Sequence, residues 1–495
     1  MKKITSLIMS VLALCAVLAG CGSTVEEIIT TGPETTVPEL SVPETEAVTV
    51  DAEGYLLDDL PPLDFDGKKI TVLYDTGVLN QDFFAEEQNG SAVNDALLAR
   101  NAAVEDRLRI KFDFIPEIGD HNNHEVYVTK VRSDLGSGTP EFMIYGATSR
   151  TVALIAAEGS CVNLLKTKYF NREKPWWPRA LTDEVTSHGK LFFCTGDIST
   201  TAIWMMSSII FNDELLKEQH LESPLYDTVL QGEWTLDRFC EIVSAAVVLN
   251  GSGAVDIYGL VGYNACFDAM LNANGIISIV KNGDGDFVFS DDFLGERTQT
   301  VVEKMGKLFT ATPAVHQSGT ANNERKIFYD GKSLFMIDGI YTVVSGQAAG
   351  MSFSYGVVPC PKFDKDQANY VTNMRYQYNL FAISSGFDGE TSDVCSAALE
   401  ALASDSYRHL TPVLFEETMK ARYSKDIVTA QMFDILRENI CFDVGRIHNY
   451  SLTNFYPDFR SACFNGGTSW SSTVKKYVKQ VGLELEKLNA FYRAD

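Results

Sequence analysis

The sequence predicts an α/β protein built on parallel βαβ units, and three stretches carry that expectation. Lys68–Asp75, KKITVLYD, is a short and largely apolar run of strand type. Between Ser91 and Leu108, Val93, Ala96, Leu97, Val104 and Leu108 recur at helical spacing. Ile110–Ile115 then alternates, with Ile110, Phe112 and Phe114 on one face. A second helix is expected over Val126–Leu135 and a third strand over Glu141–Gly146. Strand, helix, strand, helix, strand implies parallel strands joined by right-handed crossovers. In such sheets ligands bind outside the carboxyl ends of the strands. Here those ends are Asp75-Thr76-Gly77 and Tyr145-Gly146-Ala147-Thr148.

Further along, Thr235 suits a helix N-cap before a stripe of Leu236, Phe239, Cys240 and Val243 at i, i+3, i+4, i+7. KSLFMIDG, SFSYGVVPCP and YNLFAIS read as strands, and the last stretch, including VKKYVKQVGLELEKL, reads as mostly helical. No internal repeat is visible.

The amino terminus has a secretory layout. Lys2 and Lys3 precede an apolar run from Leu7 to Ala19 that is too short for a bilayer, which needs ~20 residues. Its ending, Leu18-Ala19-Gly20-Cys21, resembles the bacterial lipobox, where the signal is cut before a cysteine that carries a diacylglycerol. That implies a signal peptide over 1–20, lipidation at Cys21, and a chain on the extracytoplasmic face of the cell membrane, held by acyl chains. From Gly22 to about Asp59 the chain is rich in Thr, Pro, Glu and Val, with ten acidic residues and no Lys or Arg. Such a segment buries too little apolar surface to order itself. It is expected to act as a tether over 21–62, spanning on the order of 35 Å.

The net charge of −25 argues against nucleic acid as a partner, since phosphates require Lys and Arg. It equally disfavours docking of the folded part on anionic lipid. Of ten cysteines, the eight beyond Cys21 form no CxxC and no zinc spacing, and they read as buried small hydrophobes. No metal and no cofactor is expected. GDGDF at Gly283–Phe287 echoes a calcium loop but lacks its spaced ligands and reads as a hairpin turn. DGKS at Asp330–Ser333 lacks the upstream glycine of a P-loop. His121 and His124 stand at i, i+3 beside two asparagines and read as a solvated loop. No HExxH, GxSxG or GxGxxG occurs, and the chain is read as a non-enzyme.

The ordered patterns together resemble the extracellular solute-binding lipoproteins of ABC importers, in the cluster that includes maltose-binding protein. They run from ITVLYD through EFMIYGATSRTVALIAAEGSCVNL, GKLFFCTGDIST…SSIIFNDELLKE and WTLDRFCEI to FYDGKSLFMIDGIYTV, YGVVPCPKFDKDQANY and ALEALASDSYRHL. The resemblance implies a two-lobe periplasmic-binding-protein-like fold of type II, with discontinuous lobes joined by hinge strands. By analogy, 63–200 plus 340–403 form lobe 1 and 201–339 plus 404–495 form lobe 2.

It also implies where a solute is held. Asp75 ends the first strand. Tyr145, Thr148 and Arg150 lie on the loop after the third. Trp204 sits at the first hinge crossing, where the acidic contact common in the family is replaced by Trp204-Met205-Met206. Asp338 and Tyr341 resemble the strand-end turn and the aromatic that stacks on sugar, and Phe455 and Tyr456 fall where a late aromatic closes the cleft. Trp176-Trp177 read as packing residues. Sugar recognition needs aromatic faces and a few fixed polar groups, so the expected solute is a carbohydrate, delivered by a monomer to ABC permease subunits. A peptide, a polyamine or another small solute on the same fold, or a surface sensor without a transporter, are the alternatives.

Overall fold

The computed structural model describes residues 49–494 apart from 78–81, 222–224, 312, 345–349, 421–426 and 469. The signal peptide, Cys21 and the tether up to residue 48 lie outside the described residues. The strands in chain order are β1 (Lys68–Asp75), β2 (Ile110–Glu117), β3 (Ile144–Thr148), β4 (Ser207–Asn212), β5 (Val248–Leu249), β6 (Val255–Tyr263), β7 (Ile279–Lys281), β8 (Phe287–Phe289), β9 (Val315–Ser318), β10 (Ser333–Gly339), β11 (Tyr355–Val358), β12 (Thr372–Asn373), β13 (Asn379–Ile383) and β14 (Ile440–Cys441).

Two sheets organise them. The smaller has the order β13-β3-β1-β2. Its β1 runs parallel to β2 and β3, as the βαβ pattern requires, and β13 closes the edge antiparallel to β3. From Ile70 onward β1 is buried, which explains its continuous apolar run. Gly146 in β3 lets Phe83 and Phe381 meet edge to face with centroids 4.6 Å apart, since a Cβ there would come within 2.5 Å of the Phe83 ring. The third strand begins later than expected because the Asp134 carboxylate accepts the amides of Glu141 and Phe142, at 2.8 and 3.2 Å, and keeps them in a loop. The larger sheet has the order β11-β4-β10-β6-β5, with β9 also paired to β6. β7 and β8 form a hairpin around the Gly283–Phe287 turn.

The chain crosses between the sheets twice side by side, at Trp204–Ser207 and Asn373–Asn379. The crossings are bonded by the Met206–Met374 bridge and by the Arg375 amide donating to the Met205 carbonyl at 3.0 Å. The sheets divide the chain differently from the sequence analogy. β11 pairs with β4 in the larger sheet, so the return crossing falls near 374 and not at 340. Ser406–Lys420 packs on the helix Ala92–Leu108 beside the smaller sheet. Nor does the tether extend to residue 62. Val50 bridges Leu56, Tyr55 packs on Tyr407, and Asp58 holds Arg107 through contacts of 2.6 and 2.7 Å. The cations that pin this acidic stretch lie elsewhere in the sequence, which hides the ordering from a local reading.

Trp176 and Trp177 are core residues. Their indole N–H groups donate to Glu400 at 3.0 and 2.9 Å, and the Asn171 amide adds a bond of 3.2 Å. Burial outweighs these donors and pushes the Glu400 carboxyl up to about 7. With its folded pKa above the ordinary value of 4.5, Glu400 contributes stability that is fully present below that value and is lost as pH rises through about 7. Glu400→Gln removes this dependence. In urea titrations at about pH 5 and about pH 8, the stability of wild type relative to the variant should fall by on the order of 2–3 kcal/mol at the higher pH. An unchanged difference would mean that Glu400 is ionised throughout.

Candidate ligand-binding site

The carboxyl ends of β1 and β3 face a region supplied by the end of β6, the end of β10, the second crossing and the segment around Tyr450. Arg150, in the first turn of the helix Ser149–Ala157, is its central cation. The guanidinium lies 4.1 Å from the centroid of the Tyr376 ring and 5.9 Å from that of Tyr450. Among the described residues no carboxylate pairs with it, and its buried Nε has no hydrogen-bond partner. Burial and the nearby Arg446 charge push it down to about 10. His124, the first residue of the helix His124–Gly136, stacks on Tyr450 at 4.1 Å, and His121 Nδ1, in the turn before it, lies 3.1 Å from the Tyr450 hydroxyl. These two histidines border an aromatic surface, with His121 itself exposed in the turn after β2. Burial, followed by the Arg150 charge, lowers the His121 pKa.

Two carboxylates organise the remaining cations. Asp338, near the end of β10, accepts from Arg325 Nε at 2.8 Å, from Arg375 and from the Gly339 amide. The Tyr341 ring lies 5.0 Å from Arg325 and 5.6 Å from Arg375, and its hydroxyl contacts Arg325. Burial alone would lower Arg375, but Cys266, Asp338 and Tyr341 together hold it above its ordinary value. Asp268, just beyond β6, receives Arg460 Nη1 at 2.7 and 2.8 Å and pairs with Arg446 Nη1 at 3.0 Å. Arg446 in turn lies 5.0 Å from the Tyr456 ring.

The residues expected from sequence therefore separate. Arg150, Asp338 and Tyr341 fall within the arginine–tyrosine cluster. Asp75 and Thr148 support it. The Asp75 carboxylate accepts the Gly77 and Gly119 amides at 2.7 and 2.8 Å, while Thr148 bonds Thr151 at 2.9 Å. Trp204 sits at the first crossing with its indole nitrogen unpartnered. Tyr145 is fully buried and bonds Ser384 at 2.8 Å, and Phe455 packs among Phe289, Phe293 and Tyr456. Both are interior residues because they belong to apolar layers beneath the strand ends. Tyr456 is also buried, with its hydroxyl 3.0 Å from Ser278, and serves as a floor for Arg446. Sequence reasoning missed Tyr376, Tyr450, Asp268, Arg325, Arg375, Arg446 and Arg460, which share no local motif. A separate cavity of about 270 Å³, lined by Trp176, Pro178, Asp197, Ile203, Arg437 and Phe442 among others, shares no residue with this cluster.

Solved structures with this arrangement of sheets are found. An ABC substrate-binding protein of Listeria monocytogenes, solved in complex with cycloalternan, matches over 85% of this chain and 100% of its own, with 15% identity and a TM-score of 0.54. The chain has the two-lobe fold of the extracellular solute-binding proteins. A cyclic α-maltosyl-1,6-maltose binding protein from Arthrobacter globiformis matches over 86% of this chain and 99% of its own, at 13% identity and a TM-score of 0.57. A cyclo/maltodextrin-binding protein complexed with maltotetraose matches over 85% and 97%, at 13% identity and 0.56. No protein-family model matches the chain, and no curated protein does. In this two-lobe fold the arginine–tyrosine cluster lies where the two sheets present their strand ends to one another.

Asp338 is the node of its half of the cluster. Asp338→Ala leaves two buried guanidinium groups without their carboxylate, and loss of one partner of a buried ion pair costs roughly 3–5 kcal/mol. Urea unfolding should register a loss of that size. A loss below about 1 kcal/mol would mean that water or another acid replaces Asp338.

Proposed function

We propose that this chain is an extracytoplasmic solute-binding protein that captures a carbohydrate between its lobes and delivers it to an ABC importer. The reading rests above all on the chemistry of the cluster. Tyr376 and Tyr450 are half-buried rings of the kind on which pyranose faces stack. Buried polar atoms without partners fall on the same converging segments, among them Arg150 Nε, Asn264 Oδ1, Gln377 Oε1, Arg446 Nε and Ser451 Oγ. Buried polar groups are normally paired, and a polyhydroxyl solute supplies both donors and acceptors. The saccharide-binding proteins with the same fold support this choice of solute class.

In this reading a solute meets both lobes only when they close. It then shifts the open–closed equilibrium by its differential affinity for the closed form. No bond is made or broken on this chain, and transport depends on permease subunits in the membrane. A lipid on Cys21 keeps the protein near them.

Thermal unfolding of the full chain against glycans, peptides and polyamines tests the reading. A true ligand at about 100 times its dissociation constant adds ~2.7 kcal/mol and should raise the midpoint by a few degrees. Tyr376→Ala should abolish the shift given by an oligosaccharide. A shift with peptides or polyamines alone would overturn the carbohydrate assignment. Cys21→Ser should move the protein out of the membrane fraction, and its retention there would exclude lipid as the anchor.

A further inference from the structure

The charge of the cluster runs against the charge of the chain. A protein of net charge −25 brings Arg150, Arg325, Arg375, Arg446 and Arg460 together, with Asp268 and Asp338 as the carboxylates that pair with four of them. The other acids nearby are already engaged. Asp75 holds the Gly77 and Gly119 amides. Asp120 accepts the Asn122 and Asn123 amides of its own loop, and Asp443 accepts from Ser278, Asn272 and Gly445. Arg150 is left with the Tyr376 and Tyr450 rings and a hydrogen bond to the Tyr450 hydroxyl, and among the described residues no carboxylate pairs with it, although it is only 5% exposed. Arg446 stands close enough for the two positive charges to oppose each other. Its Nε and Nη1 also lack a geometrically sound hydrogen bond, even though Nη1 is 3.0 Å from Asp268.

A neutral sugar does not require this arrangement. Hydroxyl groups are bound well by a guanidinium that already has a carboxylate beside it, as Arg325 and Arg375 have in Asp338. A buried guanidinium without a carboxylate calls for an anion, because an isolated buried charge is unfavourable. Its planar fork matches an oxyanion through two parallel N–H···O bonds. Resting on the carbohydrate reading above, we infer that the solute is an acidic saccharide, whose ring carboxylate or sulfate is received by Arg150 with Arg446 beside it. Tyr376 and Tyr450 flank the same position and would stack on the sugar ring that carries the charge.

The test is calorimetric titration of the full chain with three sets of oligomers of matched length. These are uronate oligomers, the neutral oligomers made from them by carboxyl reduction, and the same neutral oligomers after sulfation. At least one anionic set should bind about 30-fold or more tighter than its neutral counterpart, and whichever set does so identifies the source of the charge. Affinity for it should fall several-fold between about 50 and 500 mM salt, since ion pairing is screened. Arg150→Gln should reduce the discrimination to less than about 3-fold, and Arg150→Lys should restore part of it. The salt series on wild type gives a second readout if Arg150→Gln does not fold. Equal or tighter binding of neutral oligomers would overturn the inference and leave the carbohydrate reading intact. Binding of no saccharide at all, charged or neutral, would overturn both.

Discussion

Arg375 joins the hinge to the candidate site. Its amide donates to the Met205 carbonyl at 3.0 Å and so fastens the second crossing to the first. Its side chain reaches Asp338 near the end of β10 and lies beside the Tyr341 ring. The Ile340 amide, two residues beyond Asp338, donates to the Met206 carbonyl at 2.9 Å. The backbone that sets the angle between the sheets and the side chains that line their meeting point are thus parts of one bonded unit. A change in hinge angle must be accommodated at Asp338, and a solute bound against Arg375 acts directly on the crossing.

Two buried acidic networks show how structure and candidate function differ in one chain. Asp82 accepts from Thr200 Oγ1, Thr201 Oγ1, Thr201 N, Ser199 Oγ and Asn379 Nδ2, at distances from 2.7 to 3.1 Å. All its lone pairs face donors, which suits a carboxylate that fixes a loop. The arginine–tyrosine cluster has the opposite character. Its carboxylates are shared between two cations each, one cation has none, and several amide and guanidinium atoms face no partner. Apolar side chains of similar volume would stabilise the fold at least as well as such ion pairs. The arrangement makes sense as a set of preoriented donors.

The sequence carried the parallel core well. The runs around Ile70, Ile110 and Ile144 are set by local period, and local period is what a single chain displays. The lobe boundaries were less legible. Met205, Met206, Asn373 and Met374 look like ordinary strand residues, so the crossings have no compositional mark. Of the candidate site, Arg150, Asp338 and Tyr341 were found through the loops that resemble a known family. Tyr376, Tyr450, Arg446 and Arg460 were not, because each stands alone in its own segment and acquires meaning only where distant segments converge. Tyr145 and Phe455 are buried, since an aromatic near a strand end is as readily part of the layer beneath it.

The eight described cysteines have a consequence of a different kind. None is paired, and six of them, Cys161, Cys194, Cys266, Cys360, Cys395 and Cys463, are buried. Burial pushes their thiols up, so the reactive thiolate is suppressed while the surrounding structure holds. They are also widely distributed, from Cys161 and Cys194, which bridge Ser384 and Phe381, to the helices Gly389–Asp405 and Tyr456–Phe464 that hold Cys395 and Cys463. A membrane-impermeant alkylating reagent would therefore reach each of these six only when its own neighbourhood opens, and the six labelling rates would form a native clock of local unfolding that requires no engineered probe.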